Sequence, residues 1–363
     1  NIYVNINIVL EYNPMRKVTQ KQIAEVLGIS QNSVSQILRG QGNYQRETYD
    51  RVWKVAREMD YRPNFYAKAI RNDRLGNYAL LQPESDEAAK IPHRLLFSIA
   101  SELEKSNCHL TFSRLSDALL TDKNYVPNIL RELVVDGLFI FYCEGTPAGM
   151  RRLIKEANIP SIWLNSNMPE DAIRPNDYHA AFELTRAFIE KGHQRIAFAN
   201  QVPEVSIIDP SRHYSIRERY NGYKDAMKEA ALEPLYVQTH QAIHSGGAQG
   251  RTIEDVLSLP DRPTAVVAYA NWNATAVMYA AAKQGLKVPD DLMVGLFHNK
   301  VSTEFGIALP TAVLPLTDMG REAVEMMECK LRSPKVKIPT IKLPCELYLQ
   351  PTAADAEPYY EEL

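Results

Sequence analysis

Residues 18–38 read VTQKQIAEVLGISQNSVSQIL and predict two short helices joined by a tight turn. Thr19 and Gln22 have the spacing of a capping box, in which each side chain accepts a hydrogen bond from the other residue's backbone N–H. Gly28 tolerates the left-handed conformation that ends many helices, and Ser30 is a good cap for the second helix. The pattern is typical of a helix-turn-helix, although another small three-helix bundle would show the same signals.

A third helix and a polar linker follow this pair. The apolar stripe of the third helix consists of Thr48, Val52, Val55, Ala56 and Met59. Pro63 then breaks the helical pattern, and residues 64–70 could form one further short helix. Because so short a helix is not stable alone in water, we expect its order to depend on a partner.

Charge is distributed unevenly along the chain. Residues 15–76 hold twelve Lys and Arg but six Asp and Glu, a net charge of +6, whereas the whole chain carries -3. A small basic head on an acidic body indicates a polyanionic partner for the head. A basic surface that is merely solvated is the alternative, and charge alone does not decide between them.

Residues 77–350 alternate short apolar strands with amphipathic helices. The predicted strands are 78–81, 109–112, 137–142, 161–164, 195–199, 265–270 and 292–297, and the clearest helical patterns are 95–105, 178–191, 219–229 and 273–284. This alternation predicts parallel sheets with helices on both faces. The length suffices for two doubly wound subdomains, with a ligand cleft beyond the carboxyl ends of their strands.

The predicted organisation therefore combines a small all-α head with an α/β body. Residues 1–14 match nothing downstream and are predicted to be an extension outside the fold. The remaining boundaries are 15–60 for the helix-turn-helix domain, 61–76 for the hinge helix and linker, 77–350 for the two-subdomain body and 351–363 for a C-terminal tail.

Several classes of protein and site find no support in the sequence. The longest apolar runs fall short of the roughly 20 residues that a membrane helix needs, and the N-terminus lacks the basic residues of a signal peptide. The four cysteines are widely separated, which favours a reducing cytoplasm. The glycine-rich segment SGGAQGRT, residues 245–252, lacks the Gly-Lys-Ser/Thr ending of a phosphate loop. No cofactor, metal site or catalytic motif is predicted, so we expect no enzyme activity.

The motifs resemble those of the LacI/GalR family of bacterial transcription regulators. In the head these are residues 18–38, then RETYDRV and YRPN. In the body, EKGHQRIAF, RERYNGY, RPTAVVAYAN, QGLKVPDDLMV and LPTAVLPLTDMGREAV follow in the family's order. The resemblance covers residues 15 to about 350. It implies a ligand-responsive repressor that binds a palindromic operator in double-stranded DNA as a homodimer, with a body like that of periplasmic sugar-binding proteins.

The resemblance also assigns DNA-binding positions. Gln31, Asn32 and Gln36 match base-reading positions, and amide side chains can bond adenine N6 and N7 together. Ala67 and Ile70 match the hinge residues that enter the minor groove and kink the duplex, although Ile70 could instead be a buried linker contact. Flanking or phosphate-facing positions, which set register, are Gln20, Lys21, Ser30, Ser33, Ser35, Arg39, Tyr44, Tyr61 and Asn64.

At the positions that match the family's effector-binding residues, this sequence departs from the family's pattern. Arg219 matches the family's arginine that bonds effector hydroxyls or carboxylates. Ala270 and Asn271 stand at the family's Asn-Asp pair, and His298 and Asn299 stand at its later Asp-Asp pair. Ala270 and His298 cannot accept two hydroxyl bonds as a carboxylate does. We therefore expect a sugar-like or sugar-derived effector beside Arg219, Asn271, His298 and Asn299 that is more anionic than a plain sugar. His298 could equally be a structural histidine.

Two other functions remain as alternatives. A solute-binding module would not need the basic head or the YRPN hinge, and an enzyme on a doubly wound fold would need a catalytic constellation. The effector, the operator sequence, the target genes, the choice between repressor and activator, and the choice between dimer and tetramer cannot be deduced from these residues.

Overall fold

The computed structural model describes residues 18–38, 40–62, 74–84, 90–116, 125–132, 134–143, 146, 148–239, 251–301, 306–351 and 355. The chain divides into two compact units, Asn1–Leu75 and Gly76–Leu363. The predicted extension at residues 1–14, together with Arg39, Asn64, Ala67 and Ile70, lies outside the described residues. The domain boundaries predicted from the sequence stay predictions.

The first unit contains the three predicted head helices, α1 Gln20–Leu27, α2 Gln31–Leu38 and α3 Arg46–Glu58. The capping box of α1 is confirmed, since Thr19 accepts from the N–H of Gln22 while the Gln22 side chain accepts from the N–H of Thr19. Gly28 ends the helix at a φ of 65°. The small core common to the three helices consists of Ile23, Ala24, Val34, Ile37, Val52 and Ala56.

The second unit contains two six-stranded sheets, and the predicted fold class is confirmed. The first sheet, in the order β11-β5-β4-β3-β1-β2, is parallel throughout. The second, in the order β12-β10-β9-β8-β6-β7, is parallel except for the antiparallel pair β10–β12. The strands are β1 Asn77–Pro83, β2 His109–Leu115, β3 Gly137–Ile140, β4 Ser161–Leu164, β5 Ala172–Pro175, β6 Ile196–Asn200, β7 Leu235–Gln238, β8 Ala265–Ala268, β9 Met293–His298, β10 Thr311–Val313, β11 Ile341–Leu343 and β12 Glu346–Tyr348.

Helices cover both faces of each sheet. They are α4 His93–Lys105, α5 Asn128–Arg131, α6 Ala148–Ala157, α7 Asp177–Glu190, α8 Tyr214–Glu229, α9 Ile253–Leu257, α10 Asn271–Lys283 and α11 Leu316–Arg332. Each sheet has an apolar cluster on either face, as expected for strands buried on both sides. Strand β3, for example, contributes Phe139 to one cluster and Leu138 to the other.

The chain passes between the two sheets three times. It leaves the first sheet after β5, returns after β10 through α11, which packs against α4, and adds β11 to the first sheet and β12 to the second. The sequence did not predict β5, β7, β10, β11 or β12, and the last three of these have only three residues each, too few for a periodic pattern to develop. The boundaries of the predicted helices also differ by a few residues, most at α8, which begins at Tyr214 rather than Arg219.

A glycine allows α7 and α8 to pack closely. Gly222 lies in the RERYNGY motif, and a Cβ atom there would overlap the carbonyl oxygen of Tyr178 and crowd the Cβ of Ala181 at 3.0 Å. Because a helix backbone cannot yield as a flexible side chain does, only glycine fits at this crossing.

We expect Gly222→Ala to destabilise the body by about 1–3 kcal/mol, the usual cost of overpacking. Alanine is the better helix former by about 1 kcal/mol, so a loss of stability would identify the close approach as the dominant effect. Urea unfolding followed by circular dichroism would measure it, with the exposed substitution Lys228→Ala on α8 as the control. Unchanged or increased stability would contradict the packing argument.

Candidate functional site

The outward face of α2 is polar. Gln31 and Asn32 are exposed, whereas Val34 and Ile37 on the opposite side are fully buried in the head core. The apolar contacts thus fix the orientation of the helix and leave two amide side chains available to a ligand. Amides carry both a donor and an acceptor, so this face can bind a surface that both donates and accepts hydrogen bonds.

Other predicted head positions are already engaged within the head. The Gln36 side chain is half-buried and accepts a hydrogen bond from the Tyr44 hydroxyl. Ser30 accepts from the N–H of Ser33 at 3.0 Å and acts as the predicted cap of α2. Ser35 is buried, with 6% of its surface exposed. These five residues therefore shape the head as well as border its polar face.

The remaining described head positions vary in exposure. Lys21 is exposed and lies 4.0 Å from Glu25, an arrangement that contributes little stability in water. Gln20 is half-buried at the start of α1, and Tyr61 is half-buried against the head core. Lys21 can therefore exchange its intrahelical partner for an external anion at small cost.

The body contains a cavity of about 480 Å³ between its two halves. One wall follows the carboxyl ends of β3 and β4, and the other lies between β6 and the first turn of α8. Parallel α/β sheets bind ligands at these ends of the strands, and the volume suits a small molecule. The described lining residues are Cys143, Thr146, Arg151, Ser166, Asn167, Met168, Ile207, Asp209, Pro210, Ser211, Arg212, His213, Tyr214 and Arg217.

Hydrogen bonds join the two walls at the base of the cavity. The Tyr214 hydroxyl donates to the Asn165 side chain at 2.7 Å. His213 bonds the Ser215 hydroxyl through Nδ1 and also interacts with the backbone of Asn165. Burial, reinforced by the positive charges of Arg219 and Arg174, lowers the pKa of His213 to about 3. The imidazole is therefore neutral near pH 7.

A second connection between the halves is ionic. Arg174 on β5 donates two hydrogen bonds to Glu218 on α8, at 2.6 and 2.8 Å. The guanidinium also stacks on the ring of Tyr214, 4.5 Å from its centroid. The Arg174 side chain is 5% exposed and that of Glu218 is 18% exposed, so the pair is largely removed from water. Bidentate pairing of this kind fixes orientation as well as distance.

Arg219 lies in the protein interior beside this connection. Its Nε donates to Asp177 at 2.7 Å and its Nη1 donates to the carbonyl oxygen of Tyr269 at 2.6 Å. The guanidinium packs over the rings of Tyr269 and Phe297. Arg219 therefore ties α8 to α7 and to the end of β8, and its charge is balanced by Asp177.

The four predicted ligand residues do not line the large cavity. Asn271 begins α10, and His298 ends β9. Asn299 borders a different cavity of about 200 Å³, together with Lys300 and residues 313–318. Sequence reasoning overlooked the residues that do line the large cavity, most of which lie in irregular segments. The sequence could have indicated Arg217, because it stands two residues before Arg219 in the motif RERYNGY.

The described residues contain neither a candidate metal site nor a helix that could cross a membrane. No group of three or more His, Cys, Asp or Glu side chains in them could hold a metal ion. None of their helices is both long enough and apolar enough to cross a membrane.

Each of the two units contains a segment that matches a known protein family. A helix-turn-helix family matches residues 13–65, and a periplasmic binding protein-like domain family matches residues 185–350. The HTH-type transcriptional regulator DegA of Bacillus subtilis is 26% identical over 92% of this chain and 97% of its own length. The ribose operon repressor of Haemophilus influenzae is 24% identical over 94% and 98%. These relatives are a transcriptional regulator and an operon repressor.

Solved structures confirm the fold. The lac repressor dimer bound to operator and the anti-inducer ONPF has a TM-score of 0.66 at 20% identity, over 92% of this chain and 98% of that one. The CelR–cellobiose complex has a TM-score of 0.58 at 17% identity, over 92% and 99%. The two matching families, the relatives and these folds together confirm the resemblance to LacI-type regulators that the sequence motifs indicated.

The ion pair between the halves can be tested by breaking it. Glu218→Gln leaves the Arg174 charge buried without its counterion, and we expect a loss of about 3–5 kcal/mol in the stability of the body. The double variant Arg174→Met/Glu218→Leu should recover most of this loss. Urea unfolding would measure both, with Arg152→Gln as the control, because its pair with Glu156 is exposed. Equal losses for Glu218→Gln and Arg152→Gln would refute a special role for the buried pair.

Proposed function

The chain joins a helix-turn-helix domain to a periplasmic-binding-protein-like domain and resembles LacI/GalR-family regulators along most of its length, and on this premise we propose that it is a sequence-specific transcriptional repressor. The observation that carries the proposal is the polar outer face of α2 on a head with its own core. Gln31 and Asn32 would enter the major groove and contact base edges.

The other predicted DNA-binding residues complete this proposal. Lys21, Ser30 and Ser33 would set the register of the base-reading helix through phosphate contacts, and Tyr44 would flank that helix. Gln36 would use its amide nitrogen, since its side-chain oxygen already accepts from Tyr44. The hinge positions Ala67 and Ile70 would enter the minor groove of the operator.

The body would sense a small molecule. The cavity is lined by both halves, so a ligand that touches both walls would favour one relative orientation of the halves. A ligand alters DNA affinity only through its differential affinity for two conformations of the protein, and such coupling amounts typically to about 1–3 kcal/mol. We place the proposed effector site in this cavity, and the four positions expected from the sequence stay predictions.

We propose further that the repressor is a homodimer. Trp272 and Tyr279 lie seven residues apart on one face of α10 and are 55% and 64% exposed. Phe97 on α4 and Phe112 on β2 are 62% and 53% exposed. Exposed aromatic side chains in this number are typical of interfaces between subunits. A dimer would also match the two-fold symmetry of a palindromic operator.

Recognition of DNA can be tested at Gln31. We expect the full chain to select specific fragments from genomic DNA, with an affinity that falls as salt rises. Gln31→Ala should weaken specific binding by about 1–3 kcal/mol, because a bidentate base contact is lost, and should leave non-specific binding nearly unchanged. Gel shifts would measure this, with Gln284→Ala in the body as control. Undiminished discrimination in Gln31→Ala would contradict the assignment of α2, and a chain that selects no fragments would contradict the function.

Dimerisation can be tested at α10. The substitution Trp272→Glu places a charge in the proposed apolar interface, and we expect the dimer dissociation constant to rise at least about tenfold, equivalent to roughly 1.4 kcal/mol. Sedimentation velocity over a range of protein concentrations would measure the shift. Val336→Glu alters an exposed apolar residue beyond the end of α11 and serves as control. The same dissociation constant in both variants would place the interface elsewhere.

A further inference from the structure

Arginines dominate the charge of the large cavity. Arg151 projects from α6 on one wall, whereas Arg212 and Arg217 belong to the other wall. Asp209 is the single acidic residue among the described lining residues. Three cations and one anion leave this lining with a net charge of +2.

The acidic groups near the cavity are already committed. Glu218 is bonded to Arg174 and Asp177 is bonded to Arg219. Asp209 accepts hydrogen bonds from Ser211, which lower the pKa of its carboxyl, and it lies within electrostatic reach of Arg212. Among the described residues, Arg151 and Arg217 have no carboxylate partner. Within the part of the chain that the structure describes, two guanidinium groups thus remain without a carboxylate partner, one on each wall.

The rest of the lining is neutral and can donate hydrogen bonds. His213 is uncharged near pH 7, so it neither adds to the positive charge nor opposes it. Ser166 and Asn167 bring a hydroxyl and an amide donor to the same cavity. Guanidinium groups form their strongest hydrogen bonds with carboxylate and phosphate oxygens, often two at a time. A neutral polyol would leave both charges without a counterion.

We infer that the cavity binds a small molecule bearing an oxyanion, a carboxylate or a phosphate, with Arg151 and Arg217 gripping it from opposite walls. This inference rests on the proposed function, because it names the chemical class of the effector. Residues from both walls would contact one ligand, so binding would draw the two halves together. The arginines would set specificity, while the hydroxyl and amide groups would hold the uncharged part of the molecule.

The test uses the full chain and four probes: inorganic phosphate, glucose 6-phosphate, gluconate and glucose. Thermal unfolding would be followed against probe concentration at constant ionic strength and pH 8. We expect a saturable rise in Tm with an anionic probe and none with glucose. A rise in Tm with glucose 6-phosphate or inorganic phosphate but not with gluconate would indicate that the ligand carries a phosphate. A rise with gluconate alone would indicate a carboxylate.

Substitutions then locate the binding site. Arg151→Gln and Arg217→Gln should each weaken binding of the anionic probe about tenfold or more, as expected for the loss of a charge-assisted hydrogen bond. Arg152→Gln is the matched control, because Arg152 lies on the same helix but pairs with Glu156 and does not line the cavity. The inference is overturned if glucose binds as tightly as the anions, if no probe binds saturably, or if both cavity variants bind like the control.

The same proteins would be assayed for binding to selected genomic fragments. Specific DNA binding without anion binding would overturn the oxyanion inference alone and leave the proposed function standing. Loss of specific DNA binding in the unaltered chain would overturn the proposed function, whatever the cavity binds.

Discussion

The bidentate ion pair between Arg174 and Glu218 joins the two halves of the body, and the cavity between them depends on it. Arg174 lies on β5 of the first sheet, and Glu218 lies on α8 beside the second. Buried charges are costly unless their partners are well placed, so the pair permits only a narrow range of relative orientations. The bonds of Tyr214 and His213 to Asn165 act at the same junction. The first two turns of α8 therefore organise both the junction and one wall of the cavity.

Local chemistry explains why the head was the most predictable part of the chain. Thr19, Gln22 and Gly28 act through bonds and backbone angles within a few residues of themselves, so their roles can be deduced from spacing. The core strands were also predictable, because burial on both faces requires continuous apolar runs. The strands β11 and β12 were not, since each has three residues and depends on a sheet whose other strands lie far away in sequence.

The ligand residues expected from the sequence stay predictions, and the structure shows contacts of Arg219 that its spacing did not indicate. Arg219 was expected to face a ligand, but the structure gives it Asp177 and the carbonyl oxygen of Tyr269 as partners. Asp177 is 42 residues earlier in the chain, and nothing in the spacing indicated that pairing. Arg217, on the same helix, has no such partner among the described residues and lines the cavity. The difference in pairing between the two arginines thus depends on a long-range contact.

The distribution of paired and unpaired arginines suggests how binding and conformation can be coupled. Arg174 and Arg219 are neutralised inside the body, so their energies change little when a ligand arrives. Arg151 and Arg217 stand on opposite walls, and their mutual repulsion is weakened by water when the cavity is open. An oxyanion between them would replace repulsion by two attractions, which strengthen as water is excluded. The free energy of binding would therefore favour the orientation that brings the walls together, within the narrow range that the Arg174–Glu218 pair permits.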